Sequence, residues 1–282
     1  MVEHHIYTSD NEGPSILFFG AIHGNEVCGP AAIQRIVAEL QSKKLTLKKG
    51  SVTFVPVCNP EAHRQRVRYT EENLNRVFKH TENPSSYEAA LANELCPLIE
   101  KCDIFLDLHS MTAHGDPFIF IDFPSEQTRA FARVLDAPLA VVGWPELYAR
   151  PETAHDSFDT TSYAAQHGKV GLLIECGQHD SPSSVDVAYA AIVSTLTHYG
   201  LLDGTAVLHD PLLIRMERVF FRTSDHDRFA KDWKHLEQVQ KGEALFVNAD
   251  GSETVAPFNA YIIMPKETAA TGEEWLYLGV RD

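Results

Sequence analysis

Basic residues are scarce in this sequence. Lys and Arg total 24 against 39 Asp and Glu, leaving a net charge of −15 across 282 residues with histidine neutral. That acid surplus excludes a general nucleic-acid binder, because phosphate contacts need a basic surface. It also excludes an electrostatic membrane anchor. Long apolar runs are missing: none approaches the roughly 20 residues that span a bilayer. The opening MVEHHIYTSDNEG has neither the basic end nor the apolar stretch of a signal peptide, so the expected compartment is the cytoplasm. Cysteine is sparse and odd in number, at positions Cys28, Cys58, Cys96, Cys102 and Cys176, with no CxxC. This argues against both a disulfide framework and a zinc ribbon and leaves free, mostly buried thiols. No internal repeat or low-complexity tract is present.

Core-forming residues are plentiful. Apolar residues make up 44% of the chain and charged residues 22%, the composition of a folded protein. Ser15–Gly20, Ser51–Val57, Asp103–Leu108, Phe118–Ile121, Leu139–Val142 and Val170–Ile174 read as strands. Between them Gly29–Leu40, Ser85–Lys101, Glu126–Leu135 and Thr160–Gln166 read as helices, and Val185–Tyr199 follows as another. Alternating strands and helices predict an α/β fold with a mixed sheet flanked by helices. The pattern stops near Leu202. Beyond it stand short strand-like pieces, Val219–Thr223, Ala244–Val247, Tyr261–Met264 and Trp275–Leu278, with a hairpin turn at Asn248–Gly251. The expected division is a catalytic domain over 1–203 and a small β-rich domain over 204–282.

Three strand ends carry metal-ligand residue types. His23-Gly-Asn-Glu26 follows the first strand, with His23 and Glu26 spaced to reach one ion. Asp107-Leu-His109-Ser110 places His109 just past a second strand, and Glu175 caps a third. Open α/β sheets bind ligands beyond the carboxyl ends of their strands. Two histidines and one carboxylate leave an open position on zinc, the pattern of catalytic rather than structural sites. Singly, each piece has an ordinary explanation: a chance HxxE on an exposed helix, a capping histidine, a glutamate in a structural ion pair. Their coincidence at three strand ends favours a metal site, with Glu175 as the residue to accept and return a proton. A fourth feature, Arg68–Arg76, offers bidentate carboxylate recognition at Asn75-Arg76 and oxyanion stabilisation at Arg68. Arg64 and Arg66 read equally well as a basic turn.

With these pieces in hand, the chain resembles the succinylglutamate desuccinylase/aspartoacylase family within the zinc carboxypeptidase superfamily. The resemblance rests on GAIHGNEVCGP (Gly20–Pro30), Asn59-Pro60, RYTEENLNRVF (Arg68–Phe78), FLDLHS (Phe105–Ser110) and IECG (Ile174–Gly177), in the family's order. It implies a zinc-carboxypeptidase-like α/β fold and a single zinc ion held by His23, Glu26 and His109. It implies Glu175 as general base and then acid, Arg68 polarising the scissile carbonyl, and Asn75 and Arg76 holding the substrate carboxylate. The implied reaction is hydrolysis of the amide of a small N-acyl amino acid. No nucleic-acid or membrane partner is expected; family members often associate, which leaves a homo-oligomer open, with no interface legible in the sequence.

Two departures bear on specificity. Aspartoacylases carry an arginine shortly before the base-bearing strand. Here no arginine occurs between Arg150 and Arg215, and Tyr163 falls near that place, so aspartate specificity does not carry over. The family also uses a C-terminal tyrosine, for which Tyr261 and Tyr277 are both available. His63, His114, His155 and His179 are candidates to approach the site, though most of the 14 histidines read as surface or hydrogen-bonded residues, and Trp144 and Tyr148 read as a loop over the site or as ordinary packing. Two other functions fit the same residues. A peptide-cutting zinc carboxypeptidase would use Asn75-Arg76 on a peptide C-terminus, and a non-catalytic relative would keep the metal site without turnover.

Overall fold

A computed structural model gives the structure, described over residues 2–150 and 158–282. The first part runs β1 (His5–Thr8), β2 (Ser15–Gly20), α1 (Cys28–Gln41), β3 (Ser51–Val55), α2 (Pro60–Gln65), a 3-10 turn (Leu74–Arg76) and α3 (Tyr87–Lys101). It continues through β4 (Ile104–Met111), β5 (Phe118–Phe120), α4 (Glu126–Ala132), β6 (Leu139–Val142), α5 (Trp144–Tyr148), α6 (Thr160–Gln166), β7 (Val170–Gln178) and α7 (Pro182–His198). The remainder is all strand: β8 (Leu212–Phe221), β9 (Arg228–Phe229), β10 (Gln238–Val239), β11 (Ala244–Val247), β12 (Glu253–Val255), β13 (Ala260–Ile263) and β14 (Glu274–Arg281).

The expected mixed sheet is present, and it extends further than the sequence pattern indicates. Eleven strands share it in the order β1-β3-β2-β4-β7-β5-β6-β8-β14-β13-β10. Strands β3, β2, β4 and β7 are parallel neighbours, so their carboxyl ends lie side by side. The sheet crosses residue 203 without a break, because β8 pairs parallel with β6. A separate small sheet, β12-β11-β9, carries the Asn248–Gly251 hairpin, where the Asn248 N–H donates to the Ser252 carbonyl at 2.8 Å.

Alternation along the central strands fills both faces. Ile16 and Phe18 of β2 pack under α1 and α7, while Leu17 and Phe19 face α3 and α6. All five cysteines are buried and free, as the composition suggests. A third cluster joins Phe118, Phe120 and Leu173 to Ile214, Met216 and Tyr277 of the C-terminal strands. It seats those strands against the sheet beside the carboxyl ends of β4 and β7. A fourth, around Trp233, Trp275 and Phe246, belongs to the C-terminal strands alone.

Candidate metal centre and cavity

His23 and Glu26 sit in the loop between β2 and α1. This loop is held by unusually close backbone contact. Gly24 N–H donates to the Arg68 carbonyl at 3.1 Å, and His63 Nδ1 lies 2.9 Å from the Gly24 carbonyl. Gly24 meets α2 so tightly that any Cβ would collide with the Ala62 and His63 backbone. Helix α2 is fixed in turn by Asn59, whose side chain accepts from Ala62 N–H, and by Pro60 in the first turn.

His109 and Glu175 lie inside strands rather than beyond them. Strand β4 runs on to Met111 and β7 to Gln178, and His109 and Glu175 are register partners across the pair. The predicted ligands converge. His23 Nδ1 is 2.7 Å from Glu26 Oε1, His109 Nδ1 is 3.0 Å from Glu26 Oε2, and all three residues are buried. Their donor atoms lie within 4.8 Å of one another, close enough to hold one ion.

Both histidines turn Nδ1 toward Glu26, with the other nitrogen facing an oxygen. His23 Nε2 is 3.1 Å from Asn73 Oδ1. His109 Nε2 lies 3.0 Å from Asp107 Oδ2, out of hydrogen-bond alignment, and Asp107 Oδ2 also accepts from Thr160 Oγ1 at 2.6 Å. An Nε2–H facing an oxygen leaves the Nδ1 lone pair for a metal. Burial and the nearby Arg68 charge push His23 down to about 3, so it stays neutral, as a ligand imidazole must. Burial works to raise Glu26, but the two histidines outweigh it and hold the carboxyl well below its usual range. For His109, burial works to lower the imidazole, while Asp107 and Glu26 prevail and raise it. Two imidazoles and a carboxylate, two of them with outer partners, are a donor set suited to zinc.

Glu175 is buried beside this cluster, with Oε2 unpartnered among the described residues. Burial, helped by the Glu26 charge, pushes its carboxyl up to about 8. Arg68 reaches Glu26 Oε1 at 3.3 Å and is otherwise partly open to the cavity. Asn75 is buried with Oδ1 accepting from Thr160 N–H at 3.1 Å, which leaves Nδ2 as its free donor. Arg76 donates to the Asn75 carbonyl at 2.9 Å and lies 3.9 Å from Glu274.

One cavity of about 760 Å3 gathers His23, His109, Glu175, Arg68, Asn75 and Arg76. It is also lined by Lys266 and Glu273 from the connection between β13 and β14 and by Glu274 and Tyr277 of β14. Of the two tyrosines left open by the sequence, Tyr277 lines the cavity, hydrogen-bonded to Tyr148 at 2.9 Å; Tyr261 takes a bond from Gln238 elsewhere. Tyr163 does not reach it, donating instead to Glu100. His179 does, held by Ser110 Oγ at 2.8 Å, whereas His63 braces Gly24 and His155 lies outside the described residues.

Three supporting residues escaped the sequence reading. Asn73 and Asp107 orient the histidines. Glu88, buried at the start of α3, accepts from Thr70 N–H and Oγ1 at 2.7 Å each and from the N–H groups of Glu71 and Glu72 at 3.2 Å. It thereby ties down the loop carrying Arg68 and Asn75. Only Asp107 left a signal, two residues before His109 on a strand and so on the same face.

Known proteins align with this architecture. The succinylglutamate desuccinylase/aspartoacylase catalytic-domain profile matches residues 12–196. The N-alpha-acetyl-L-2,4-diaminobutyric acid deacetylase of Halomonas elongata is 30% identical over 211 residues, 71% of this chain and 58% of that protein. The chain thus spans under two thirds of that relative's length. A succinylglutamate desuccinylase of Vibrio vulnificus is 23% identical across 93% of this chain and 79% of its own. Among solved structures, a product-bound ectoine utilization protein from Ruegeria pomeroyi superposes with a TM-score of 0.80 at 22% identity, covering 99% of this chain and 89% of that one.

Proposed function

From the chain's membership of the succinylglutamate desuccinylase/aspartoacylase family, we propose that it is a zinc-dependent amidohydrolase that removes the acyl group from a small N-acyl amino acid. The observation that carries this reading is the convergence of His23, Glu26 and His109 beside Glu175 in one cavity with Arg68, Asn75 and Arg76. His23, Glu26 and His109 would hold a divalent ion, which when bound would supply Lewis acidity toward a carbonyl and water and a positive charge favouring the ionised form of Glu175.

Glu175 accepts the proton of the attacking water and returns it to the departing amine. Arg68 faces the developing oxyanion. Asn75 Nδ2 and the Arg76 guanidinium hold the substrate carboxylate, a positive patch in an otherwise acidic protein. The C-terminal wall, which we assign to a second unit over 204–282, limits the cavity to small substrates. This favours a deacylase over a peptide-cutting enzyme.

The test is amine release from a panel of N-acetyl and N-succinyl amino acids, with and without a chelator. Selective turnover that chelation abolishes and zinc restores is expected. Cleavage of unblocked peptides, or silence across the panel with zinc bound, overturns the reading.

A further inference from the structure

We infer that the far end of the cavity, at Asp122, is a subsite for a cationic group carried on the methylene stem of the substrate amino acid. The substrate class is then the N-acyl derivatives of basic amino acids, an assignment that rests on the deacylase reading.

Asp122 follows β5, which runs antiparallel to β7 with Phe118 opposite Glu175 and Phe120 opposite Leu173. Alternate residues share a face, so Glu175 and Leu173 on one strand and Phe120 on the other form one wall of the cavity, which Asp122, two residues past the end of β5, also lines. At about 3.3 Å per residue, Phe120 stands roughly 7 Å along from the level of Glu175, and Asp122 follows two residues further on. Between them Leu173 and Phe120 offer an apolar floor that suits methylenes and not a charge.

Asp122 is short of donors. It is only 7% exposed, and Oδ1 has no hydrogen-bond partner among the described residues. Its other oxygen, Oδ2, lies 2.6 Å from Thr161 Oγ1, but that hydroxyl is also 2.8 Å from Asp159 Oδ1. One hydroxyl hydrogen cannot serve both carboxylates. Asp159 is compensated by the Ser162 N–H at 2.6 Å, and Asp122 is not. Of the cavity's cations, Arg68 pairs with Glu26 and Lys266 with Glu273; the charge of Arg76 reaches Asp122, but no hydrogen bond joins them, Arg76 donating to the Asn75 carbonyl and lying 3.9 Å from Glu274. Burial and the charge of Asp159 outweigh the Thr161 hydroxyl and Arg76 and push Asp122 up to about 7. An ammonium or guanidinium supplies the hydrogen bond that Oδ1 lacks, with a charge beside two carboxylates, Asp122 and Asp159.

The experiment compares Nα-acetyl-lysine, Nα-acetyl-norleucine and Nα-acetyl-2-aminoadipate, which carry cationic, neutral and anionic side chains. On the zinc-loaded enzyme, kcat/KM is expected to favour the lysine derivative over norleucine by about tenfold or more, the scale of one charge-assisted hydrogen bond, with aminoadipate lowest. Asp122→Asn should cut the lysine-to-norleucine ratio by a similar factor. Equal or better turnover of aminoadipate, or an unchanged ratio in the variant, overturns the subsite while leaving the deacylase standing. If no derivative is hydrolysed, the deacylase reading fails and calorimetric binding of free lysine against norleucine decides the subsite. Tighter lysine binding by tenfold supports it, and equal binding overturns it.

Discussion

Replacing Gly24 by alanine should disable the metal centre without touching a ligand. A Cβ at this position meets Ala62 C at 2.1 Å, His63 N at 2.3 Å and Ala62 O at 2.5 Å. All three are backbone atoms of α2, which its Asn59 cap and Pro60 hold in place, so no side chain can swing aside. Restoring an ordinary contact of 3.4 Å takes roughly 1.3 Å of movement (3.4 − 2.1). Helix α2 resists, so the loop yields, and His23 and Glu26 flank the glycine on either side. Overpacking of this kind costs about 1–3 kcal/mol. At about 2–4 °C per kcal/mol for a protein of this size, Tm falls by about 2–12 °C. Displacement of two ligands by about an ångström should weaken zinc binding at least tenfold and activity about a hundredfold. Chelator competition and thermal unfolding measure both. Gly168→Ala is the control: its φ of +69° strains any side chain, but nothing lies within 4 Å of the new Cβ. It should lose about 1–2 kcal/mol of stability and keep its zinc affinity. Wild-type zinc affinity and Tm in Gly24→Ala would refute the close-packing argument.

Two further outcomes follow from buried groups. Asp107→Asn removes the charge facing His109 Nε2 while keeping shape, and should weaken zinc binding about 10–100-fold in a folded protein; equilibrium titration against a chelator checks this, and unaltered affinity would count against an orienting role. His235 is buried, accepts from Met264 N–H at 3.1 Å, and is pushed down to about 4 by burial. Its folded pKa lies below the unfolded 6.5, so its stabilising effect is present above 6.5 and is lost as pH falls through 4. Between pH 7 and 4.5 that amounts to about 2–3 kcal/mol. His235→Gln, unfolded by urea with chelator present, should lose correspondingly less on acidification, and equal losses would exclude His235 as a contributor.

Much of this was legible in the chain because the central strands are nearly all apolar. Ser15–Gly20 and Leu139–Val142 are strands with the bounds their residues suggest, and β7 begins where Val170 does. The ends of β4 and β7 were not legible. His109 and Glu175 look like terminators, yet each is paired to its neighbour and the strands continue past them. Short polar elements such as β1 and α2 carry no periodic signal, and α2 exists largely because Asn59 caps it. Likewise Asn73 and Glu88 act through contacts set by tertiary folding, with His23 Nε2 fifty residues from Asn73 Oδ1 in sequence. Asp122 carries no signal of its own in the sequence, and its place in the cavity depends on β5 lying against β7.

The most direct test is Glu175→Gln, assayed together with bound zinc on one preparation. The substitution keeps the shape of the side chain and removes its capacity to accept a proton. The expected result is one zinc per chain, as in the wild type, with kcat for the best N-acyl amino acid reduced about 10²–10⁴-fold. Wild-type turnover by the zinc-loaded variant would contradict the assignment of Glu175, and with it the mechanism.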